Sequence, residues 1–208
     1  MLKSFPVVPI GNRIPVIYPW GEALLDSGDN LDLALAAAQA NAEWGWNGLY
    51  RNLAPSVTGY LRAQGAPEPD DLAADVFLQA VKALNRFKGD GAAFRSWLFC
   101  IAHNKLIDDS RYRSRRPVEP VGEPADDAAA PVGVEDEVMT HLAEDRVKSL
   151  LDRLTFDQRN VLLLRIIAGL TVEEVACALG KNPPAVKALQ RRGLACLKRE
   201  ISAQTVSV

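Results

Sequence analysis

The sequence predicts an all-α protein of two small helical domains joined by an acidic linker. Apolar residues recur at intervals of three and four in two separate stretches, which is the periodicity of amphipathic helices, and no stretch alternates as a half-buried strand does. Between them, residues 117–145 contain nine acidic residues and neither Lys nor Arg. We therefore expect a flexible tail over residues 1–30, domains over residues 31–117 and 144–203, and the linker over residues 118–143.

The composition is that of an ordinary globular protein: 208 residues, 48% hydrophobic and 24% charged, with a net charge of -2. Four prolines interrupt the first twenty residues, which argues against a signal peptide. Tyr18 and Trp20 leave open that the tail docks on the protein or on a partner. No apolar run reaches membrane-spanning length, so we expect no membrane insertion. The three cysteines, few and odd in number, fit a reducing cytoplasm.

The first domain opens with two predicted helices. Apolar residues from Leu31 to Leu53 share a helical spacing, and Pro55 is suited to the first turn of a further helix that ends before a loop at residues 65–69.

A third, strongly amphipathic helix begins at Asp70 or Asp71 and carries Asp71, Asp75 and Gln79 on its polar face. A turn at residues 86–91 precedes a fourth helix over residues 92–112.

The second half of this domain combines aromatic and basic residues, as do proteins that hold single-stranded nucleic acid. The candidates are Asn85, Arg86, Phe87, Lys88, Phe94, Arg95, Trp97, Asn104, Lys105, Arg111, Tyr112, Arg113, Arg115 and Arg116. Two alternatives stay open. Phe94 and Trp97 would pack in the core as aromatic residues at helical spacing often do, and the arginines would form a solvated helix C-terminus.

The second domain begins with a helix that ends at Leu154. A helix over residues 157–168 follows, with Thr155 and Gln158 as a capping box and Gly169 as its end.

A helix-turn-helix pattern comes next. Thr171 and Glu174 form a second capping box, Gly180 supplies the turn, and Asn182 is a favourable N-cap. The second helix of such a motif enters the major groove of DNA, so duplex DNA is a candidate partner. Its expected contacts to phosphates and base edges are Lys181, Pro183, Pro184, Lys187, Gln190 and Arg191. Its expected buried face consists of Val186, Leu189, Leu194 and Leu197.

No catalytic motif accompanies these features. Cys100 and His103 are three residues apart, which is too few ligands for a metal site, and we expect no metal and no cofactor. The cysteines are interpreted as buried thiols, with a redox pair of Cys177 and Cys196 as the alternative.

Two long segments resemble one family. Residues 70–117, DDLAADVFLQAVKALNRFKGDGAAFRSWLFCIAHNKLIDDSRYRSRRP, look like region 2 of an extracytoplasmic-function (group IV) sigma factor of bacterial RNA polymerase. Residues 150–200, which include the helix-turn-helix, look like region 4 of the same family. The resemblance implies a sigma region 2-like domain followed by a sigma region 4-like helix-turn-helix domain.

The resemblance further implies a transcription initiation factor, not an enzyme, that binds the β′ clamp and β flap of core RNA polymerase. It places Asp71, Asp75 and Gln79 on the polymerase. It places the aromatic and basic residues of the first domain on the minus-10 element of promoter DNA. It places the expected contact residues of the helix-turn-helix on the minus-35 element. An anti-sigma factor and a bacterial cytoplasm are also implied. The acidic linker would thread toward the polymerase active-site cleft, unless it is a plain spacer.

The sequence departs from the family pattern at several positions, among them Pro183 and Pro184, the two prolines that open the recognition helix. His103 stands where an Arg is common, Cys100 is also unusual, and Gly193 lies within a helix where Ala is usual, at a propensity cost of about 1 kcal/mol. Two other interpretations stay open. A dimeric helix-turn-helix regulator would explain the second domain, and a protein-interaction adaptor would treat the basic faces as soluble surface.

Overall fold

The computed structural model of the protein describes residues 28–115 and 146–206. Most of the predicted tail, the predicted linker and Arg116 lie outside the described residues. Within the described ranges all regular structure is helical, which confirms the all-α prediction.

The first domain contains α1 (Gly28–Gln39), α2 (Glu43–Ala63), α3 (Pro69–Ala83), a 3-10 turn (Leu84–Arg86) and α4 (Gly91–Arg115). The second contains α5 (146–152), α6 (Phe156–Ile166), α7 (Val172–Ala178) and α8 (Pro183–Val206).

The first two helices divide at a different place from the one predicted. The chain turns around Asn41, whose φ of 59° is left-handed, and α2 then continues through Pro55. The ring of Pro55 lies on the solvent side of α2, and so does Arg51, whose carbonyl the proline leaves without a helical donor. Because water can reach that carbonyl, the packed helix tolerates the proline.

The core of the first domain lies where α2, α3 and α4 face one another, with α1 across α2 and the start of α4. Its large, fully buried side chains include Leu49, Val57, Tyr60, Leu61, Val76, Phe94, Leu98 and Phe99. The close approach of α1 and α2 depends on Gly45, because a Cβ there would lie 2.7 Å from the Ala34 carbonyl oxygen.

The predicted local signals of the second domain are confirmed. Both capping boxes form: Thr155 Oγ1 accepts from the Gln158 amide at 3.4 Å, and Thr171 Oγ1 accepts from the Glu174 amide at 3.2 Å. Gly169 and Gly180 have φ values of 66° and 62°, which ordinary residues rarely adopt.

One prediction for α8 is wrong. Leu194 is 47% exposed, and Gly193 occupies the buried position instead. A Cβ at Gly193 would lie 2.9 Å from Leu162 Cδ1, so the glycine lets α8 approach α6 closely. Leu194 is one residue further along and therefore rotated by about 100° away from α6.

The two domains pack against each other. Helix α4 contacts α7, and α2 contacts α6. As a result, buried apolar side chains from both domains join in one continuous cluster. Across the described ranges, no helix combines the length and apolar character needed to span a bilayer.

Candidate nucleic-acid interface

Three predicted aromatic residues form one cluster where α4 meets the loop before it. The ring of Phe87 lies 5.4 Å from that of Phe94 and 5.1 Å from that of Trp97. Phe94 is fully buried, so it supports the cluster from below and does not reach the surface as a direct DNA contact would require. Phe87 and Trp97 are half-buried and present part of their rings to solvent.

The loop that carries Phe87 is held at both ends. The Phe87 amide donates to the Leu84 carbonyl at 2.9 Å, and Gln39 Nε2 of α1 donates to the Phe87 carbonyl at 3.1 Å. Asp90 Oδ1 accepts from the Ala93 amide at 2.8 Å at the start of α4. The loop therefore places its exposed polar residues beside the aromatic pair; these are Asn85, Arg86 and Lys88.

Three of the predicted basic residues of α4 are paired with carboxylates of the same domain. Lys105 Nζ lies 3.2 Å from Asp75 Oδ2, Arg111 lies 3.9 Å from Asp108, and Arg113 lies 2.8 Å from Asp109. Such exposed pairs contribute about 0–1 kcal/mol, so a polyanion can compete for these cations. The remaining predicted residues of this helix, Asn104, Tyr112 and Arg115, are exposed.

Arg95 does not lie with the other basic residues. It is half-buried and points toward the second domain, with Nη1 3.9 Å from where a Cβ of Gly169 would be.

The predicted polymerase-binding face of α3 is exposed at Asp71, Asp75 and Gln79. The structure adds Leu78, which is 52% exposed, and Val81, which is 45% exposed. The sequence interpretation missed Leu78. Asp71, Asp75 and Leu78 share one helical face because they are separated by four and three residues.

The helix-turn-helix presents the start of α8. Asn182 Oδ1 accepts from the Ala185 amide at 2.8 Å, which confirms the predicted N-cap. Lys187 and Arg191 are exposed and lie four residues apart on one face. The other predicted residues, Pro183, Pro184 and Gln190, lie along the same first turns and range from half-buried to exposed.

Lys181 differs from the prediction of a phosphate contact in that its Nζ already lies 2.9 Å from Asp157 Oδ2. This ion pair fastens the turn of the motif to the start of α6.

A buried polar cluster between the domains was not predicted. The Tyr60 hydroxyl lies 3.0 Å from His103 Nδ1 and 3.2 Å from Asn160 Oδ1, to which Gln64 Nε2 also donates. Burial raises the pKa of Tyr60 above its ordinary range. Burial also lowers the pKa of His103, an effect that Asp157 opposes. The sequence signal for this cluster was a lone polar Asn160 directly before the apolar residues 161–164.

The cysteines are less buried than predicted. Cys177 is exposed, whereas Cys100 and Cys196 are half-buried, and all three are free thiols. Cys100 faces α7: burial, followed by the nearby Cys177, raises its pKa to about 12. Cys196 Sγ lies 3.6 Å from the Arg153 carbonyl. Among the described residues, no three His, Cys, Asp or Glu side chains are grouped as metal ligands.

Comparison with known proteins agrees with this architecture. Sigma-70 region 2 matches residues 49–116, and Sigma-70 region 4 matches residues 144–197. The chain is 33% identical over 182 residues to the ECF RNA polymerase sigma factor SigD of Mycobacterium tuberculosis, covering 85% of this chain and 86% of SigD.

A second relative links sequence and structure. The RNA polymerase sigma factor CnrH of Cupriavidus metallidurans is 34% identical over 156 residues, covering 69% of this chain and 80% of CnrH. The structure of CnrH in complex with the cytosolic domain of CnrY superposes with a TM-score of 0.62 at 28% identity, covering 83% of this chain and 98% of CnrH. The chain therefore belongs to the ECF RNA polymerase sigma factors, which are promoter-directing transcription initiation factors.

Proposed function

We propose that this protein binds core RNA polymerase and divides promoter recognition between its domains. The first domain opens and reads the minus-10 element, and the second reads the minus-35 element. The observation that carries the proposal is that one chain holds two chemically different surfaces that suit nucleic acid. One is an aromatic pair within a basic loop, and the other is an exposed recognition helix.

The surface of the first domain suits a single strand. Phe87 and Trp97 lie side by side and are each partly exposed, and a base stacked on an aromatic ring gains about 1–3 kcal/mol. The neighbouring Asn85 and Lys88 are exposed and can meet base edges and phosphates. Phe94 supports both rings from the core and fixes their positions.

The start of α8 suits a duplex. Lys187 and Arg191 project from one face of a helix whose N-terminus is fixed by Asn182 and by the ion pair of Lys181 with Asp157. A helix held in this way can enter a major groove. To contact a phosphate, Lys181 exchanges its ion pair with Asp157 for one with the phosphate. The side chain of Lys181 is 29% exposed in the pair with Asp157.

The exposed face of α3 suits a protein partner. Its Asp71, Asp75 and Gln79 surround Leu78, and an apolar side chain bordered by acids is expected to contact a basic, partly apolar surface. We assign this face to the β′ clamp of the polymerase and assign the second domain to the β flap. As CnrH is bound by the cytosolic domain of CnrY, we also expect a protein partner of the anti-sigma kind and action in the cytoplasm.

Run-off transcription tests this function. Purified bacterial core RNA polymerase is given a pool of promoter fragments with and without the protein, and the transcripts are sequenced. Initiation at a defined subset of fragments supports the proposal, and the start sites reveal both elements. If core polymerase is neither bound nor redirected on a pool that contains suitable promoters, the proposed function is wrong.

Variants test the division of labour. Trp97→Leu should lower initiation on duplex promoters by about tenfold to a hundredfold, through lost stacking, and a template with a pre-melted minus-10 element should restore part of the loss. Tyr50→Leu is the control, since Tyr50 is exposed and, like Trp97, packs on an aromatic ring, that of Phe77, but lies outside the loop. Equal losses in both variants would contradict the role of the cluster.

For the second domain, Arg191→Ala should weaken binding to the minus-35 element and lower the salt slope by about 1. Arg192→Ala is the matched control, because its side chain turns back to the Ala188 carbonyl. A footprint that shortens at the upstream end only in the Arg191 variant would support the assignment.

A further inference from the structure

Two consecutive prolines open the recognition helix, α8. Pro183 and Pro184 occupy its first two positions, and neither has a backbone N–H. The N–H of Ala185, at the third position, donates to Asn182 Oδ1 at 2.8 Å. In other helices the N–H groups of the first turn are free to bind a phosphate group. None of these three positions can donate one here, so recognition at this end of α8 depends on side chains.

Pro184 lies on the outward face of α8. The buried Val186 marks the inner side of the helix. Pro184, Lys187 and Arg191 are exposed and lie three and seven residues apart, so they share the face that points away from Val186. The half-buried Ala188 lies between them, four residues after Pro184. The outward face therefore combines two cations with an apolar N-terminal end.

The position of Pro184 along the helix determines what it can contact. In a helix-turn-helix the N-terminal residues of the second helix contact base edges in the major groove. Most groups on those edges are hydrogen-bond donors and acceptors, and the C5-methyl group of thymine is the apolar one. A proline ring has no donor and no acceptor, so it leaves a polar edge unpaired but packs well against a methyl group.

We propose that Pro184 contacts the C5-methyl group of a thymine in the minus-35 element and thereby selects an A·T pair at that position. The inference rests on the proposed function, since it requires a duplex to lie against α8. The contact is worth about threefold to fivefold in affinity, as expected for removing one methyl group from water. It costs no side-chain entropy, because the proline ring has no rotamers to lose.

The turn before α8 holds the ring in place. Lys181 Nζ lies 2.9 Å from Asp157 Oδ2, which fastens the turn to α6. The Val186 amide donates to the Asn182 carbonyl at 3.1 Å, so the first turn of the helix is closed. Since the ring cannot shift to follow a methyl group at a neighbouring base pair, the contact should be specific for one position.

Replacing thymine by uracil tests the contact, because uracil lacks only the methyl group. Holoenzyme is formed from the full-length protein and core RNA polymerase, and is bound to a promoter identified by run-off transcription. The thymines of the minus-35 element, on both strands, are replaced by uracil one at a time. One replacement should weaken binding of the wild-type holoenzyme by about threefold to fivefold, and the others should have little effect.

Two matched variants assign the contact to one residue. Pro184→Ser removes the ring, so this variant should bind the thymine and uracil promoters equally at the sensitive position. Pro183→Ser makes the same change one residue earlier, at a half-buried position rotated by about 100°, and should keep the wild-type ratio. Both variants should bind the uracil promoter about as tightly as the wild type, which shows that α8 remains folded.

The outcomes separate this inference from the proposed function. Equal wild-type binding to thymine and uracil at every position would overturn the contact, as would a minus-35 element of G·C pairs alone. A wild-type ratio in Pro184→Ser, or a lost ratio in Pro183→Ser, would also overturn it. Selective promoter binding without any methyl effect leaves the proposed function intact. A holoenzyme that binds promoter and non-promoter fragments equally contradicts the proposed function itself.

Discussion

The two domains present their candidate DNA-binding residues in different ways. In the first, Phe87 and Trp97 rest on a buried Phe94, and three basic residues of α4 are paired with carboxylates of the same domain. In the second, Lys187 and Arg191 project from the start of one helix. The first surface needs several packed helices to exist, whereas the second needs one turn and one helix end. The first domain should therefore be the more sensitive to changes in distant packing.

The largest expected effect tests that dependence. Gly45→Ala should destabilise the first domain by about 3 kcal/mol or more, because its Cβ would clash with the backbone of α1 at Ala34 and Ala38, which cannot move aside as a side chain can. Urea unfolding followed by circular dichroism measures the change. We also expect slower initiation, since Gln39 of α1 holds the loop that carries Phe87.

Gly59→Ala is the control in the same helix. Its Cβ would have ordinary contact with Ile167 at 4.0 Å, so the gain in helix propensity of up to about 1 kcal/mol should prevail. Similar unfolding free energies for the two variants would show that α1 and α2 are not packed so closely in solution.

The same difference explains what could be predicted from the sequence. The second domain follows local rules, so Thr155, Thr171, Gly169 and Gly180 predicted its helix ends correctly. In the first domain the helix break near Asn41 was missed, because Pro55 offered a stronger local signal. Packing of α2 against four neighbouring helices overrides that signal, and no short stretch of sequence records it.

The next effect is local and belongs to the second domain. Thr171→Ala removes the side chain that accepts from the Glu174 amide and should cost about 1 kcal/mol. Because α7 is short and supports the recognition helix, affinity for the minus-35 element should fall together with the stability of the domain. Thermal unfolding measures the stability, and DNA binding measures the affinity. Ser110→Ala, on the exposed surface of α4, should change neither, and a loss there of equal size would contradict the capping account.

The residue types of the candidate site could be predicted from the sequence, but the neighbours and the burial of those residues could not. The aromatic and basic residues of α4 were identified, yet their carboxylate partners and the burial of Phe94 depend on packing. The interdomain cluster lay beyond sequence reasoning because Tyr60 and Asn160 are 100 residues apart. His103 was noticed only as an unusual residue. Its position in the interdomain cluster became clear only from Tyr60 and Phe156, which contact it in the folded protein.

Acidification should weaken the contact between the two domains. Burial lowers the pKa of His103 from its ordinary 6.5, with Asp157 opposing and Lys181 adding to the effect, while Tyr60 contacts the ring from α2. Because His103 binds the proton more readily when it is exposed to water, the contact between the domains is fully stable above about pH 6.5 and loses stability as pH falls below it. Scattering curves recorded from about pH 8 to about pH 5.5 should show an increasing radius of gyration. His103→Gln cannot titrate, so the same pH profile in this variant would contradict the assignment.

The last expected effect, at Gly193, is the difference between two opposing contributions to the free energy of unfolding. Gly193→Ala gains about 1 kcal/mol of helix propensity but forces its Cβ to 2.9 Å from Leu162 Cδ1, a buried side chain with little room to move. Such overpacking costs about 1–3 kcal/mol, so we expect a net loss of about 1 kcal/mol in unfolding free energy. Leu162→Val gives the needed space by removing a methylene. In that background Gly193→Ala should become stabilising, and a penalty that persists there would show that the close approach of α6 and α8 is not its cause.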